Sequence, residues 1–226
     1  MTTKFNRILF DYDGTLIIHD ADKQGVRIAE ILDIDYELIP EFNNRLKVFF
    51  ESPEVRKYYV GRKMTYELYY NIMEIVVGPL DKFGITAKQL DEAITEKSVN
   101  YARLAPNAIE SLEYLKNKGY EICLFTNGFL KCQAGGMKKY GIYDYFERIY
   151  AWDGFYAKPD VRALRRALDG TEPIRNVMVG DDLISDIETA KKCGVYTIGI
   201  NMRKVQGVKT RPDVIITDLA DLKKIL

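Results

Sequence analysis

A set of short, uninterrupted apolar runs, most of them separated by helical patterns, limits what this chain can fold into. Ile8-Leu9-Phe10, residues 121–125, 177–179, 196–200 and 214–216 form the set, and residues 148–151 are a weaker member. Runs of this length without polar alternation are expected of strands buried on both faces. Between them, Ile109, Leu112 and Leu115 mark one helical face, with Gly119 as its C-terminal cap. Residues 161–168 form a second helix ending near Gly170, and Ile187, Ala190 and Cys193 line a third closed by Gly194. Strands alternating with helices require right-handed crossovers. The expected fold class is therefore α/β, a doubly wound, Rossmann-like parallel sheet, built from residues 1–16 and 106–226.

Residues 17–105 read differently. Helical segments are expected at 24–32, 40–50, 65–76 and 86–102, and Thr86-Ala87-Lys88-Gln89 has the form of a capping box. Only residues 72–77 are ambiguous between helix and buried strand. The expectation is an all-helical cap domain, residues 17–105, inserted after the first strand, with Pro106 at the return to the core. A chain of 226 residues suits one core domain with such an insertion.

The 33 basic and 33 acidic residues cancel, which argues against a nucleic-acid polymer or a membrane surface as partner. Cys123, Cys132 and Cys193 lack metal-ligand spacing and read as small core residues in a reducing compartment. With no secretory or membrane-spanning pattern, a soluble cytoplasmic protein is expected.

Ligands of an open parallel sheet bind beyond the carboxyl ends of its strands. The first run is followed by Asp11-Tyr12-Asp13-Gly14-Thr15-Leu16, and the second by Thr126-Asn127-Gly128. Lys158-Pro159-Asp160 follows the weak strand; Gly180-Asp181-Asp182, with Asp186 beyond, follows residues 177–179. Taken singly, each is an ordinary turn, cap or loop. Together they bring carboxylates, a hydroxyl and an ammonium to one rim, the outline of a phosphate and metal site.

On these four motifs, in this order, the chain resembles the phosphatase branch of the haloacid dehalogenase superfamily. The first two motifs are 115 residues apart, room for the cap, and the later intervals are 32 and 23. The resemblance implies an aspartyl-phosphate on Asp11, because a carboxylate nucleophile divides one hard displacement into two easier ones. It implies Mg2+ held by the Asp11 and Asp181 carboxylates and the Asp13 carbonyl. Asp13, two positions on and pointing to the same side as Asp11 if strand geometry persists, is then the general acid and base. Thr126 and the backbone N–H of Asn127, at the start of a helix, hold the phosphoryl oxygens, and Lys158 stabilises the developing charge. Asp186 orients Lys158 or holds metal-bound water, with Asp182 assisting. The implied substrate is a small phosphorylated metabolite, a nucleotide or sugar phosphate, with a nucleoside monophosphate the first choice. A phosphomutase of the β-phosphoglucomutase type shares all four motifs. A 2-haloacid dehalogenase shares Asp11 but lacks an acid at the position of Asp13. A non-catalytic phosphate-binding module would be expected to lose Asp11.

Four features stay outside this reading. His19, the only histidine, lies near the expected hinge with no visible partner. Arg62 and Lys63, after Gly61, fit a substrate-facing loop and a solvated loop equally well. The aromatic residues of the insertion read mostly as helix packing. Gly135-Gly136 interrupts a helical pattern at a cost of about 1 kcal/mol per glycine relative to alanine, without evident reason.

Overall fold

The computed structural model describes residues 5–20, 24–202 and 207–226. Strands β1 (Arg7–Phe10), β4 (Glu121–Phe125), β5 (Arg148–Tyr150), β6 (Asn176–Gly180), β7 (Tyr196–Ile200) and β8 (Val214–Ile216) form one parallel sheet. Its order is β5-β4-β1-β6-β7-β8. All six apolar runs are strands, including the weak one.

Successive side chains of a strand point to opposite faces, and here both faces are covered. Ile8, Phe10, Ile122, Leu124, Val177 and Val179 pack on one side with α5 (Ala108–Asn117). Leu9, Cys123, Phe125 and Met178 pack on the other with α7 (Val161–Leu168) and Ala190 of α8 (Thr189–Lys192). Double-sided burial is why these runs are continuous. Ile109 is a correction, since it is 38 % exposed. The buried face is Ala108, Ser111, Leu112 and Leu115; at 100° per residue, Ile109 falls on the far edge of that stripe.

Helices α1 (Gln24–Ile31), α2 (Ile39–Glu51), α3 (Tyr66–Val76) and α4 (Ala87–Asn100) pack around their own apolar cluster, including Ile28, Phe42, Leu46, Ile72, Met73 and Leu90. Residues 72–76, ambiguous in sequence, are helical, and Thr86 and Gln89 make the expected capping box. The stretch is not all-helical at its ends. Strand β2 (Ile17–Ile18) pairs antiparallel with β3 (Arg103–Leu104), where the two chain crossings run side by side and satisfy each other's backbone groups. Two-residue strands leave no periodicity to read.

The seam between these helices and the sheet has two parts. Tyr66 stacks on Phe129 at 3.9 Å between ring centroids, and Tyr69 and Trp152 pack edge-on to the same ring. These aromatic residues are thus largely engaged with one another. Met64 N–H donates to Phe155 O and Gly154 N–H to Met64 O, so the loop carrying Arg62 and Lys63 lies on residues 152–156 with both of those side chains exposed.

The second part explains the paired glycines. In α6 (Leu130–Lys139), a Cβ at Gly136 would run into the Tyr12 hydroxyl, and one at Gly135 would lie 3.0 Å from Val99 Cγ2. Glycine lets α6 lie directly on the end of α4 and on Tyr12. Lys139 Nζ donates to Val99 O at 2.6 Å, and the Tyr140 hydroxyl to Ala102 O, across the same contact. Alanine normally gains about 0.5–1 kcal/mol over glycine inside a helix. At Gly136 the clash with the buried Tyr12 should outweigh that gain, and Gly136→Ala is expected to destabilise the protein by about 1–3 kcal/mol in thermal denaturation.

Candidate active site

Strands β4, β1 and β6 are neighbours, so the residues after their carboxyl ends share one crevice: Thr126, Asp11 and Asp181. Asp11 is 8 % exposed. Lys158, 2 % exposed, directs its ammonium at three acceptors: Asp11 Oδ1 at 2.7 Å, Asp186 Oδ1 at 2.6 Å and Phe125 O at 3.0 Å. All three donors of an ammonium are thereby used. Burial alone would lower the lysine's pKa, but the two carboxylates hold it above its ordinary value.

The surrounding loops are built to hold this ammonium. The Asn127 side chain accepts from Lys158 N–H at 2.8 Å and donates to Lys158 O at 2.9 Å, while Trp152 Nε1 donates to the same amide oxygen. Asn127 thus clamps the lysine's backbone. Helix α6 starts only at Leu130, so Thr126 and Asn127 are not at its first turn as expected. Phe129 is drawn into the aromatic seam, and the Leu130 N–H is taken by Asp153 Oδ2 at 3.0 Å.

Asp186 lies in a π-helical turn, Leu183–Glu188, that leads into α8. Its second oxygen accepts from Asp182 N–H at 3.0 Å, fixing the loop that carries Asp181. The Asp182 side chain caps the turn through Ile184 N–H and Ser185 N–H and faces Arg56, whose guanidinium lies 2.7 Å from Oδ2. Gly14 has φ of +82°, and a Cβ there would strike the Asp181 carboxylate. Only glycine meets both demands.

Asp13 reaches its position otherwise than expected, because strand geometry ends at Phe10. Leu16 and Ile17 N–H both donate to Tyr12 O, and Gly14 N–H donates to Ile17 O, turning the chain back. The Asp13 carboxylate, 46 % exposed, has Oδ1 2.7 Å from His19 Nε2 and Oδ2 3.1 Å from Gln133 Nε2. Gln133 also reaches Thr126 Oγ1 at 3.4 Å. On the other side of His19, Nδ1 lies 3.3 Å from Lys97 Nζ. Lys97 is 2 % exposed, and burial lowers its ammonium to about 8, against the pull of Asp13. Gln133, Lys97 and Arg56 carry no local motif, and nothing in the sequence singles them out.

One oxygen of each of Asp11, Asp181 and Asp186 lies within 4.8 Å of the others. Three carboxylates against one ammonium leave an anionic, all-oxygen donor set, the kind that suits a hard divalent cation. Burial raises each of the three to about 7, with their mutual repulsion adding and Lys158 opposing.

The fold and this rim define a hydrolase-type α/β protein, and comparison with known proteins agrees. Residues 5–194 match the family model described as haloacid dehalogenase-like hydrolase. The chain belongs to that family. It is 28 % identical over 233 residues to the glyceraldehyde 3-phosphate phosphatase of Methanothermobacter thermautotrophicus, covering 97 % of this chain and 98 % of that one. It is also 28 % identical to the pyrophosphatase PpaX of Bacillus velezensis, over 96 % and 94 % of the two chains. Among solved structures, a HAD phosphatase from Thermococcus onnurineus superposes with a TM-score of 0.65 at 25 % identity, covering 98 % and 97 %. The HAD-hydrolase YfnB from Bacillus subtilis, solved bound to magnesium, superposes with a TM-score of 0.72 over 99 % of both chains; at 17 % identity it supports the fold alone. Among the described residues, no helix is long and apolar enough to cross a membrane.

The raised carboxylates set a pH dependence for the protein in chelating buffer. A carboxyl whose folded pKa lies above its unfolded value of about 4 favours the folded state when protonated. That contribution is complete below about pH 4 and is lost as pH rises through about 7. The melting temperature in chelator should therefore fall from pH 5 to pH 8. Asp181→Asn, which removes the member of the trio outside the Lys158 contacts, should flatten that fall.

Proposed function

We propose that this hydrolase is a magnesium-dependent phosphatase of small phosphorylated metabolites, working through an aspartyl-phosphate on Asp11. In this reading residues 17–105 form a cap over a core of residues 1–16 and 106–226. The observation that carries it is the buried Lys158 ammonium bridging Asp11 and Asp186 beside Asp181. The family, with its relatives named as phosphatases, supports the same chemistry.

Asp11, Asp181 and the Asp13 carbonyl would hold the magnesium, which when bound supplies the charge that lets a carboxylate approach a phosphate dianion. Lys158 fixes Asp11 Oδ1, leaving the other oxygen to attack phosphorus. As that bond forms, the bond from phosphorus to the leaving oxygen breaks, and Asp13 gives that oxygen its proton. Water then attacks the acyl phosphate, Asp13 takes the proton, and Asp11 is released with inorganic phosphate. Lys158, already ordered and dry, pays little reorganisation as charge builds on the phosphoryl group. Thr126 offers its hydroxyl to a phosphoryl oxygen. Asn127 contributes mainly by fixing the Lys158 backbone, and Asp186 by orienting its ammonium.

Relatives named for glyceraldehyde 3-phosphate, phosphoglycolate and pyrophosphate support substrates of that size. The test is a panel of these compounds with sugar phosphates and nucleoside monophosphates, read by released phosphate with magnesium present. Asp11→Asn should lose at least about 1,000-fold in turnover while its circular dichroism and melting curve show a folded protein. Chelation should abolish wild-type activity and magnesium restore it. Turnover that survives chelation, or a wild-type protein inert toward the whole panel, would falsify the reading. Sugar-phosphate isomers formed without phosphate release would mark a mutase instead.

A further inference from the structure

We infer that His19 and Lys97 are positioning residues for Asp13, forming a relay from the end of α4 that orients the acid/base carboxyl. The inference rests on the phosphatase reading and assigns that site two residues which the four motifs do not contain.

The geometry fixes the direction of each hydrogen bond. An ammonium has three donors and no acceptor. His19 Nδ1, facing Lys97 Nζ at 3.3 Å, therefore meets it with a lone pair. The ring proton then sits on Nε2, 2.7 Å from Asp13 Oδ1, and is donated to the carboxylate. If the proton shared by lysine and histidine moves to Nδ1, Nε2 still carries its own. Either way Asp13 Oδ1 receives an N–H. Lys97 thus sets the tautomer of His19, and His19 sets the rotation of the carboxyl.

The support behind the relay is closely packed. Lys97 is on the last turn of α4, where Gly135 lets α6 approach Val99, Gly136 lets it lie on Tyr12, and Lys139 and Tyr140 bond to Val99 O and Ala102 O. Among the described residues Lys97 has no ion-pair partner, although it is 2 % exposed. A buried ammonium without a carboxylate is costly unless a polar group receives it, and His19 is that group. The same helix α6 supplies Gln133 to Asp13 Oδ2 at 3.1 Å, an amide shared with Thr126 Oγ1. Oδ1 is thus held by a single short bond from a nearly buried ring, and Oδ2 by a longer, shared contact. Oδ2 is the oxygen left to carry the proton. It protonates the leaving oxygen as the phosphorus–oxygen bond breaks, and the His19 N–H stabilises the negative charge that remains on the carboxylate. In the second step Oδ2 takes the proton of the attacking water, and the bond between phosphorus and Asp11 breaks.

The test uses leaving groups of different basicity, with kcat/KM as readout because it covers the steps through departure of the leaving group. An alkyl phosphate depends on proton donation, and an aryl phosphate with an acidic phenol hardly does. His19→Ala is expected to lose about 100-fold in kcat/KM on the alkyl phosphate and no more than about 3-fold on the aryl phosphate. His19→Gln, which keeps an N–H donor, should recover about 10-fold of the alkyl loss, and Lys97→Met should show the same selectivity as His19→Ala with a smaller loss. Losses equal on both substrates, or confined to KM on the alkyl phosphate, overturn the relay. Should His19→Ala fail to fold, the alkyl-to-aryl ratio in His19→Gln and Lys97→Met decides on the same criterion. A wild-type protein without activity on either substrate, or an Asp11→Asn variant that keeps it, overturns the phosphatase reading itself, which separates the two failures.

Discussion

The ammonium of Lys158 organises this molecule's functional rim. It is nearly free of solvent, and each of its protons has an acceptor: Asp11, Asp186 and the carbonyl of Phe125. Breaking a buried pair by removing one partner typically costs 3–5 kcal/mol, because the remaining charge is left uncompensated. The loops after β1, β4, β5 and β6 are therefore bound to one another through a single point charge. The arrangement is also unbalanced, with Asp181 beside the pair and, among the described residues, one ammonium facing three carboxylates. A site that existed only to stabilise the fold would have little reason to gather that excess.

Sheet topology makes the gathering possible. The first strand is central, with β4 on one side and β6 on the other, although more than 100 residues separate β1 from β4 in sequence. In a parallel sheet all the carboxyl ends lie on one edge, so three neighbouring strands deliver Asp11, Thr126 and Asp181 without any long loop. What remains is close approach. Gly14 allows the first loop to lie against Asp181, where a Cβ would collide with the carboxylate. Long chain separation and short spatial separation are reconciled by strand order and one glycine.

This logic also decides what could be read from sequence. The strands were legible because double-sided burial makes apolar runs continuous, and Asp11, Lys158 and Asp181 were legible because each follows such a run. The reading weakened where geometry left the strands. Asp13 belongs to a turn, so strand alternation was the wrong basis for placing it. The helix after Thr126 starts later than expected because Phe129 is drawn into an aromatic cluster assembled from three parts of the chain. The β2–β3 ribbon is too short to carry a period. Gln133 and Lys97 are single polar residues on helices, and their meaning depends on what faces them 120 and 78 residues away in sequence. No local pattern encodes such a partner.

The paired glycines show how a local cost becomes intelligible only in three dimensions. Within α6 alone they weaken a helix. Against α4 and Tyr12 they remove the two methyl groups that would hold the elements apart. The closeness gained there also brings Gln133 of α6 to Asp13, and Lys97 of α4 to His19, which itself touches Asp13. A further cross-seam contact, Arg56 with Asp182, is of a different kind from this packing and from the aromatic cluster. Its side chains are 20 % and 39 % exposed, and such ion pairs contribute about 0–1 kcal/mol. The seam thus combines close helix packing at Tyr12 and Val99, an aromatic cluster on Phe129 and one weak ion pair at Arg56. Asp13 lies beside the closely packed part, so its surroundings are held by helix contacts and not by that ion pair.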